Sequence, residues 1–244
     1  MDLTPTVPGR VSVVMPAFQL VDSIGPNLDR TVAALASIAD LEVVVVDDGS
    51  TDGTGDTASK AAARHDGATV VSYRPNRGKG GALQAGFAAS TGETIVFLDA
   101  DLDLPPEQVP AFISEFEELG VDGLVGAKQR AMAPETYPVL RRVLSRIFSG
   151  TIRLMFRLPV DETQTGLKVF RRKPLDDFLQ NLEVQRYTFD LELLVRMHRA
   201  GYAIAEAPVQ LAEGASASGV SLRTLWEMAR DTLRIWIQTT LRRD

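Results

Sequence analysis

One nine-residue stretch, Ile95 to Asp103, constrains the fold of this chain more than any other. Four apolar residues run directly into three carboxylates at alternate positions, Asp99, Asp101 and Asp103. A short apolar run of this kind is typical of a buried strand, and its carboxyl end would reach the edge of a sheet. Two carboxylates at such an edge are hard oxygen ligands, which Mg²⁺ prefers together with phosphate oxygens. A solvated, Asp-rich turn would give the same pattern, so the rest of the chain must decide between them.

Apolar, β-branched runs alternate with helical patterns through the first half of the chain. Strands are predicted at residues 11–15, 41–46, 68–73, 94–98 and 123–127, and helices at residues 22–39, 57–64, 81–90 and 106–119. Pro16 is expected to end the first strand. Strands and helices that alternate at this spacing form βαβ units around a mostly parallel sheet. The prediction is therefore an α/β fold with a Rossmann-like central sheet flanked by helices.

A second pair of carboxylates, Asp47 and Asp48, directly follows the predicted strand at residues 41–46. Ligands of parallel α/β sheets bind beyond the carboxyl ends of the strands. We therefore expect Asp47, Asp48, Asp99 and Asp101 to converge at one edge of the sheet.

A glycine-rich turn at residues 74–82 precedes the third predicted helix and contains Lys79. Glycine allows close approach of a phosphate, a helix start offers free N–H donors, and the lysine adds a positive charge. Gly80 stands where a P-loop would need Ser or Thr, and the turn is not the dinucleotide-binding Gly-x-Gly-x-x-Gly. The turn predicts phosphate binding, although a flexible entry into a helix would have the same composition.

Composition excludes several classes of protein. The 244 residues are 45% hydrophobic, enough for one substantial core. The chain has no cysteine, so disulfides and thiolate metal sites are excluded, and its net charge of −6 disfavours a general nucleic-acid binder. It has no signal-peptide pattern and no apolar run of about 18 to 20 residues, the length that would span a membrane. We expect a domain at residues 1–220 and an amphipathic helix at residues 221–244, in a cytoplasmic, soluble or peripheral protein.

The charge balance inverts between residues 128 and 157, where seven basic residues accompany a single acidic one. Apolar pairs alternate with the arginines, which predicts a basic amphipathic helix within about residues 136–157. Such a helix is typical of binding to an anionic membrane surface. Nucleic acid is the rival partner for a basic face, but aromatic stacking platforms are sparse here. An ordinary surface helix remains open. Residues 221–243 repeat the pattern with Trp226 and Trp236, and there a helix docked on the core or on a second copy would look the same.

Six blocks of the sequence, taken together and in this order, resemble glycosyltransferase family 2, whose fold is GT-A. They lie at residues 13–18, 45–52, 76–82, 98–101, 161–170 and 189–193. Within that family the chain is most similar to the polyprenyl- and dolichyl-phosphate hexosyltransferases. The blocks Asn-Arg-Gly-Lys-Gly-Gly-Ala and Asp-Glu-Thr-Gln-Thr-Gly-Leu-Lys resemble the dolichyl-phosphate β-glucosyltransferase branch more than the mannosyl one.

The resemblance implies a role for each matching residue. The nucleotide would contact Pro16, Ala17, Asp47, Asp48, Gly78, Lys79 and Asp99. Asp101 would bind Mg²⁺ or Mn²⁺ directly with Asp99 beside it, so Asp99, Asp101 and Lys79 would be catalytic. The acceptor phosphate would contact Lys128, Arg141, Ser145 and Lys168. Two departures from the family pattern affect these assignments: the segment after Ala17 lacks the usual early acidic residue, and residues 214–220 lack a lysine.

The resemblance also implies a reaction: inverting, metal-dependent transfer of a hexose to a polyprenyl or dolichyl phosphate, with UDP-glucose favoured as donor. A phosphate monoester, with a second pKa of about 6, is largely ionised at neutral pH and needs no strong general base. The alternatives are a GDP-mannose donor, a soluble or polysaccharide acceptor, and a non-catalytic nucleotide-sugar-binding module. The expected partners are the donor, the lipid acceptor and the inner face of a membrane, with a homo-oligomer or a separate membrane protein left open and nucleic acid excluded.

Overall fold

The computed structural model of the chain describes residues 9–128, 150, 152, 155–182, 184, 188–212 and 222–241. In this part of the chain the strands are β1 (Val11–Ala17), β2 (Leu41–Asp47), β3 (Ala68–Ser72), β4 (Thr94–Leu98), β5 (Gly123–Lys128), β6 (Leu167–Arg171) and β7 (Ile204–Val209). The helices are α1 (Ile24–Ala34), α2 (Thr54–Ala62), α3 (Gly78–Ala89), α4 (Val109–Leu119), α5 (Arg172–Phe178), α6 (Phe189–Arg199) and α7 (Leu222–Leu241). Short 3₁₀ turns at Pro106–Gln108 and Leu179–Asn181 adjoin α4 and α5.

The strands form one sheet in the order β3-β2-β1-β4-β6-β5-β7. Strand β6 is antiparallel to both of its neighbours, β4 and β5, and the other pairs are parallel. The mostly parallel α/β sheet predicted from the alternating pattern is therefore confirmed. The carboxyl ends of β1, β2 and β4 lie side by side at one edge, which is where ligands bind in sheets of this kind.

Helices cover both faces of the sheet, which explains why the central strands are apolar at nearly every position. Val13 and Met15 of β1 pack with residues of α1, α2 and α4 on one face. Val14 packs on the other face with residues of α3, α5, α6 and α7. Helix α3 lies very close to the sheet, since a Cβ added at Gly86 would lie 2.3 Å from a methyl group of Val14. This contact fixes the direction in which the start of α3 points.

Several predicted boundaries are wrong by a few residues. Strand β1 runs past Pro16 to Ala17: only its pairing with β4 stops at Val14, while its pairing with β2 continues. Helix α1 ends at Ala34 rather than at residue 39, and α3 begins at Gly78 rather than at residue 81. Strands β6 and β7 and helices α5 and α6, which lie between residues 167 and 209, were not predicted from the sequence pattern.

Helix α7 forms where the terminal amphipathic helix was predicted. Its inner side packs against α6, with Ile235 fully buried. Most of the basic helix predicted within residues 136–157 lies outside the described residues. No helix in the described part of the chain is both long enough and apolar enough to cross a bilayer.

Candidate active site

The predicted carboxylates lie at the carboxyl ends of β2 and β4, but they divide between the two faces of the sheet. Asp47 lies on the α2 side, where its Oδ1 accepts a hydrogen bond of 3.0 Å from the backbone N–H of Ser50. Asp48 and Asp99 lie on the α3 side, beside the glycine-rich turn. Alternation of side chains along a strand produces this division. The carboxylates thus lie at the same edge of the sheet, as expected, but Asp47 lies on the opposite face from Asp48 and Asp99.

Asp48 organises the glycine-rich turn. Its Oδ1 accepts hydrogen bonds from the Tyr73 hydroxyl (2.7 Å) and the backbone N–H of Arg77 (2.8 Å), and its Oδ2 from the N–H of Gly78 (2.9 Å). Burial, and then the Asp48 carboxylate, raise the pKa of Tyr73, so the hydroxyl remains a donor. The expectation of free N–H donors at this helix start is therefore wrong for Arg77 and Gly78, because both donate to Asp48.

Asp47 borders a polar pocket of about 340 Å³ at the β2–β3 side of the edge. Ser50, Ser72, Tyr73 and Arg74 are among its other lining residues. Ala17, which pairs with Asp47 across the β1–β2 ladder, is buried, whereas Pro16 is partly exposed. Of the two residues predicted to contact the base from β1, Pro16 therefore offers the accessible surface.

Lys79 projects from the first turn of α3 and pairs with Asp99. Its ammonium lies 2.6 Å from Oδ1 and 2.9 Å from Oδ2 of that carboxylate, and both side chains are about one-third exposed. Burial acts to lower the pKa of Lys79, but the carboxylates of Asp99, Asp190 and Asp101 outweigh it and the net shift is upward. Lys79 is therefore a fixed cation at the mouth of the site.

Asp101 follows in the turn after β4, and its Oδ1 accepts a hydrogen bond of 3.2 Å from the N–H of Asp103. Leu102, between the two carboxylates, has a positive φ of 55° and a buried side chain. This backbone conformation anchors Leu102 in the core and leaves Asp101 at the surface. Partial burial, and then the neighbouring Asp99 carboxylate, raise the pKa of Asp101.

Asp99 and Asp101 could bind a divalent cation whose other ligands do not come from carboxylates of the described residues. A second positive charge would relieve the repulsion that Asp101 experiences from Asp99. Among the described residues no three His, Cys, Asp or Glu side chains cluster as a full metal site. A cation at Asp101 would thus take other ligands from phosphate and water, as Mg²⁺ commonly does.

The predicted acceptor-phosphate residues are not equally accessible. Lys128 is exposed at the end of β5. Lys168 is only 1% exposed, and its ammonium lies 2.9 Å from Oδ1 of Asp190. Burial lowers the pKa of Lys168, against the opposing effect of Asp190. Arg141 and Ser145 lie outside the described residues.

Gly166 and Asp190 belong to the site, although no individual role was predicted for either. A Cβ added at Gly166 would lie 2.3 Å from Oδ2 of Asp99, so only glycine fits there without displacing that carboxylate. Asp190 pairs with Lys168 from the first turn of α6. Gly166 lies in the sequence block 161–170 and Asp190 in the block 189–193. These blocks contributed to the family resemblance, but the resemblance assigned no role to either residue.

Comparison with known sequences identifies one protein family and relatives with related names. Residues 12–179 match the domain described as Glycosyl transferase family 2. Glycosyltransferase AglD of Haloferax volcanii is 32% identical over 236 residues, which cover 96% of this chain and 38% of AglD. Dolichyl-phosphate beta-glucosyltransferase ALG5C of Trichomonas vaginalis is 33% identical over 261 residues, covering 96% of this chain and 74% of ALG5C. The chain thus spans well under half of AglD and about three-quarters of ALG5C.

Solved structures show the same fold. Glucosyl-3-phosphoglycerate synthase from Mycobacterium tuberculosis, in complex with UDP, has a TM-score of 0.70 at 23% identity, covering 95% of this chain and 80% of the other. Its complex with Mn²⁺ and UDP-glucose has a TM-score of 0.68 at 24% identity, covering 97% and 81%. Mannosyl-3-phosphoglycerate synthase from Rubrobacter xylanophilus has a TM-score of 0.69 at 19% identity, covering 95% and 74%. At these identities the likeness extends to the fold alone.

Proposed function

This chain belongs to glycosyltransferase family 2, and we propose that it transfers a hexose from a nucleotide sugar to the phosphate of a polyprenyl or dolichyl lipid, with UDP-glucose as the favoured donor. The observation that carries the proposal is the Lys79–Asp99 ion pair beside Asp101 at the carboxyl edge of the sheet. Two relatives support the acceptor class by name. One is ALG5C of Trichomonas vaginalis, and the other is the undecaprenyl-phosphate 4-deoxy-4-formamido-L-arabinose transferase of Klebsiella pneumoniae, 32% identical over 173 residues that cover 70% of this chain and 51% of that protein.

The donor nucleotide lies, in this proposal, across the ends of β1, β2 and β4. Pro16 contacts the base from β1, where Ala17 is buried, and Asp47 contacts it from β2. Asp48 acts mainly by holding Gly78 and the start of α3 in place, as its three accepted hydrogen bonds indicate. Lys79 faces the diphosphate, and Asp99 holds the Lys79 ammonium in that direction.

Mg²⁺ or Mn²⁺ is the proposed cofactor, with Asp101 as its direct ligand and Asp99 beside it. A divalent cation bound there would neutralise charge on the departing diphosphate. The Mn²⁺ and UDP-glucose complex of the Mycobacterium tuberculosis protein supports this choice as an analogy of fold. Lys79 contributes a second, permanent positive charge to the same leaving group.

The reaction is a direct displacement at the anomeric carbon. An oxygen of the acceptor phosphate forms the new bond to that carbon, and the bond to the donor diphosphate breaks, its electron pair leaving with the nucleoside diphosphate. An acceptor phosphate that is already ionised requires no proton transfer to a base. Displacement from the opposite face inverts the configuration, so an α-linked donor yields a β-linked lipid-phosphate sugar.

The acceptor phosphate requires cations for positioning, and we propose Lys128 and Arg141 for that contact, with the neutral Ser145 hydroxyl beside them. Lys128 is exposed at the end of β5, the strand on the far side of β6 from β4. A phosphate bound between Lys128 and the donor site would approach the sugar from the β5 side of the edge.

Helix α7 supports a membrane surface as the partner that presents the acceptor. Leu233 and Ile237, one helical turn apart, are 51% and 43% exposed. Arg230 and Arg234 are exposed on the same stretch of helix. An apolar pair beside arginines suits the boundary between lipid headgroups and acyl chains. We name Leu233 and Ile237 the α7 apolar pair.

Donor and acceptor choice test the proposal directly. The purified protein with Mg²⁺ is incubated with UDP-glucose or GDP-mannose, and with a short polyprenyl phosphate or 3-phosphoglycerate. We expect UDP release and glycolipid formation only with UDP-glucose and the lipid phosphate. Transfer from GDP-mannose would reassign the donor, and transfer to 3-phosphoglycerate would reassign the acceptor. Tight donor binding without turnover in any combination would contradict the proposed activity.

Flotation with vesicles containing anionic lipid tests the membrane contact. We expect the wild-type protein to float with the vesicles at low salt and to be released as salt rises, because screening weakens the contribution of the arginines. Replacing the α7 apolar pair with serine should lower the bound fraction severalfold, since roughly 1.5–3 kcal/mol is gained per fully buried aliphatic side chain. Leu119→Ser is the matched control, because Leu119 is 50% exposed on α4, whose apolar side packs on the opposite face of the sheet. Equal flotation of all three proteins would rule out the α7 contact.

A further inference from the structure

Lys168 and Asp190 form a buried ion pair next to the proposed metal-binding carboxylates. The two residues are 1% and 5% exposed, and Lys168 Nζ lies 2.9 Å from Asp190 Oδ1. Asp190 lies in the first turn of α6, where the helix dipole favours a carboxylate. A charge buried to this degree is costly without a partner. Each of these two residues therefore depends on the other to remain charged in the core.

The Lys168 ammonium also donates a hydrogen bond of 2.5 Å to the backbone carbonyl of Thr165. Its two contacts thus tie the first turn of α6 to the turn that leads into β6. The ammonium faces the protein interior in this arrangement, which does not suit the contact with an acceptor phosphate that the sequence predicted for Lys168.

The turn held by Lys168 lies against Asp99. The antiparallel ladder of β4 and β6 ends at the pair Leu98 and Leu167, so Asp99 and Gly166 are the next residues along each strand. Gly166 is so close to Asp99 that an added Cβ would lie 2.3 Å from Oδ2. The Lys168–Thr165 hydrogen bond therefore holds the turn at the point where the ladder stops.

We infer that Lys168 and Asp190 are positioning residues, which hold the turn at residues 165–166 against Asp99 and so fix the geometry of Asp99 and Asp101 for a divalent cation. The inference rests on the proposed function in that it assumes a cation binds there. It assigns Lys168 a role inside the protein rather than at the acceptor. Lys79, whose ammonium contacts both oxygens of the Asp99 carboxylate, completes the support of that group.

Cation binding measured without turnover tests this role. Mn²⁺ is titrated into the wild-type protein and into Asp190→Asn and Lys168→Met, with UDP and separately with GDP, and free Mn²⁺ is followed by electron paramagnetic resonance. Each variant is expected to bind Mn²⁺ roughly tenfold more weakly, since a displacement of one carboxylate ligand removes part of a short-range charge interaction. This readout needs neither the correct sugar nor the correct acceptor, so it separates failure of the inference from failure of the proposed function.

Glu192→Gln is the control for general loosening of α6. Glu192 is equally buried in the same turn of the helix, but its carboxylate accepts hydrogen bonds from Arg196 and from the backbone N–H of Val184. It should lower the melting temperature and leave Mn²⁺ affinity within about twofold of the wild type. A loss of affinity equal to that of Asp190→Asn would overturn the inference, as would unchanged affinity in both test variants.

The double variant Lys168→Met with Asp190→Asn keeps the inference testable if a single variant fails to fold. With both charges removed no unpaired charge remains in the core, so stability should recover relative to either single variant. Affinity for Mn²⁺ should stay low, because the Thr165 carbonyl still lacks its donor. Recovery of Mn²⁺ affinity together with stability would mean that the pair only balances charge, and the positioning role would be wrong.

Discussion

Asp101→Asn is expected to reduce turnover at least roughly a thousandfold, because a bound cation contributes several kcal/mol to stabilising charge in the transition state. An amide keeps the size of the side chain and removes the negative charge that a cation requires. The hydrogen bond from the N–H of Asp103 can persist to the amide oxygen, so the turn after β4 should keep its shape. Initial rates at saturating donor and Mn²⁺, together with a melting curve, measure the effect.

Asp103→Asn provides the matched control for that experiment. Asp103 is the third carboxylate of the same run, and its backbone carbonyl accepts a hydrogen bond of 2.9 Å from Ala212. It carries no assigned role at the cation, so the substitution should leave turnover within about threefold of the wild type, as is usual for a surface change. Wild-type turnover in Asp101→Asn would refute Asp101 as the metal ligand, and an equal loss in both variants would point to the summed charge of the turn instead.

Gly166→Ala is expected to reduce turnover by roughly a hundredfold, the scale on which a displacement of about 1 Å acts in an active site. The added methyl group would lie 2.3 Å from Oδ2 and 2.8 Å from Cγ of Asp99, so the carboxylate must move away from Lys79 or from its place beside Asp101. The substitution adds one methyl group, the smallest side chain that can replace the hydrogen of glycine, and it adds no charge. A steady-state comparison of kcat with KM for the donor should place most of the loss in kcat.

Gly25→Ala is the control for replacing a glycine in this fold. A Cβ at Gly25 would meet only a methyl group of Thr57 at 3.5 Å, an ordinary van der Waals contact. Because Gly25 lies in α1, alanine should be neutral or stabilising by a few tenths to about 1 kcal/mol. Full activity in Gly166→Ala would show that Asp99 tolerates displacement, and the support attributed to the turn at residues 165–166 would then be wrong.

The first half of the fold could be predicted from sequence because its signals are local. Each strand from β1 to β5 is a short apolar run that polar residues or proline bound. Most of the helices between them show apolar residues at helical spacing. The second half could not be predicted in the same way. Strand β6 lies between β4 and β5 although it follows both in the chain, and its antiparallel direction depends on a long-range pairing such as Phe97 with Lys168. No short window of sequence contains that information.

The sequence identified many residues of the candidate site, but it did not predict which of them contact one another. Lys79 and Asp99 were both identified as catalytic, but their direct ion pair depends on how α3 packs on the sheet. Asp48 was identified as a nucleotide contact, whereas its oxygens accept hydrogen bonds from the glycine-rich turn. Lys168 was assigned to the acceptor because the family resemblance implies a phosphate contact at that position. Its burial is a property of the β6 position and of α6, which neither composition nor spacing describes.

The antiparallel position of β6 between β4 and β5 also affects which segment of the chain can change in length and sequence. Strands β5 and β6 are hydrogen-bonded neighbours, as in the pair Val125 and Lys168, so the long segment that joins them leaves and re-enters the sheet at adjacent positions. Loop-closure entropy rises slowly with length, by only about 0.6 kcal/mol for each doubling. Insertions and deletions that leave both anchor points and the turn at residues 165–166 unchanged are therefore expected to disturb Asp99 and Asp101 little. Arg141 and Ser145, which we propose for the acceptor, belong to this joining segment, so on that proposal the acceptor could change while the donor site stays the same.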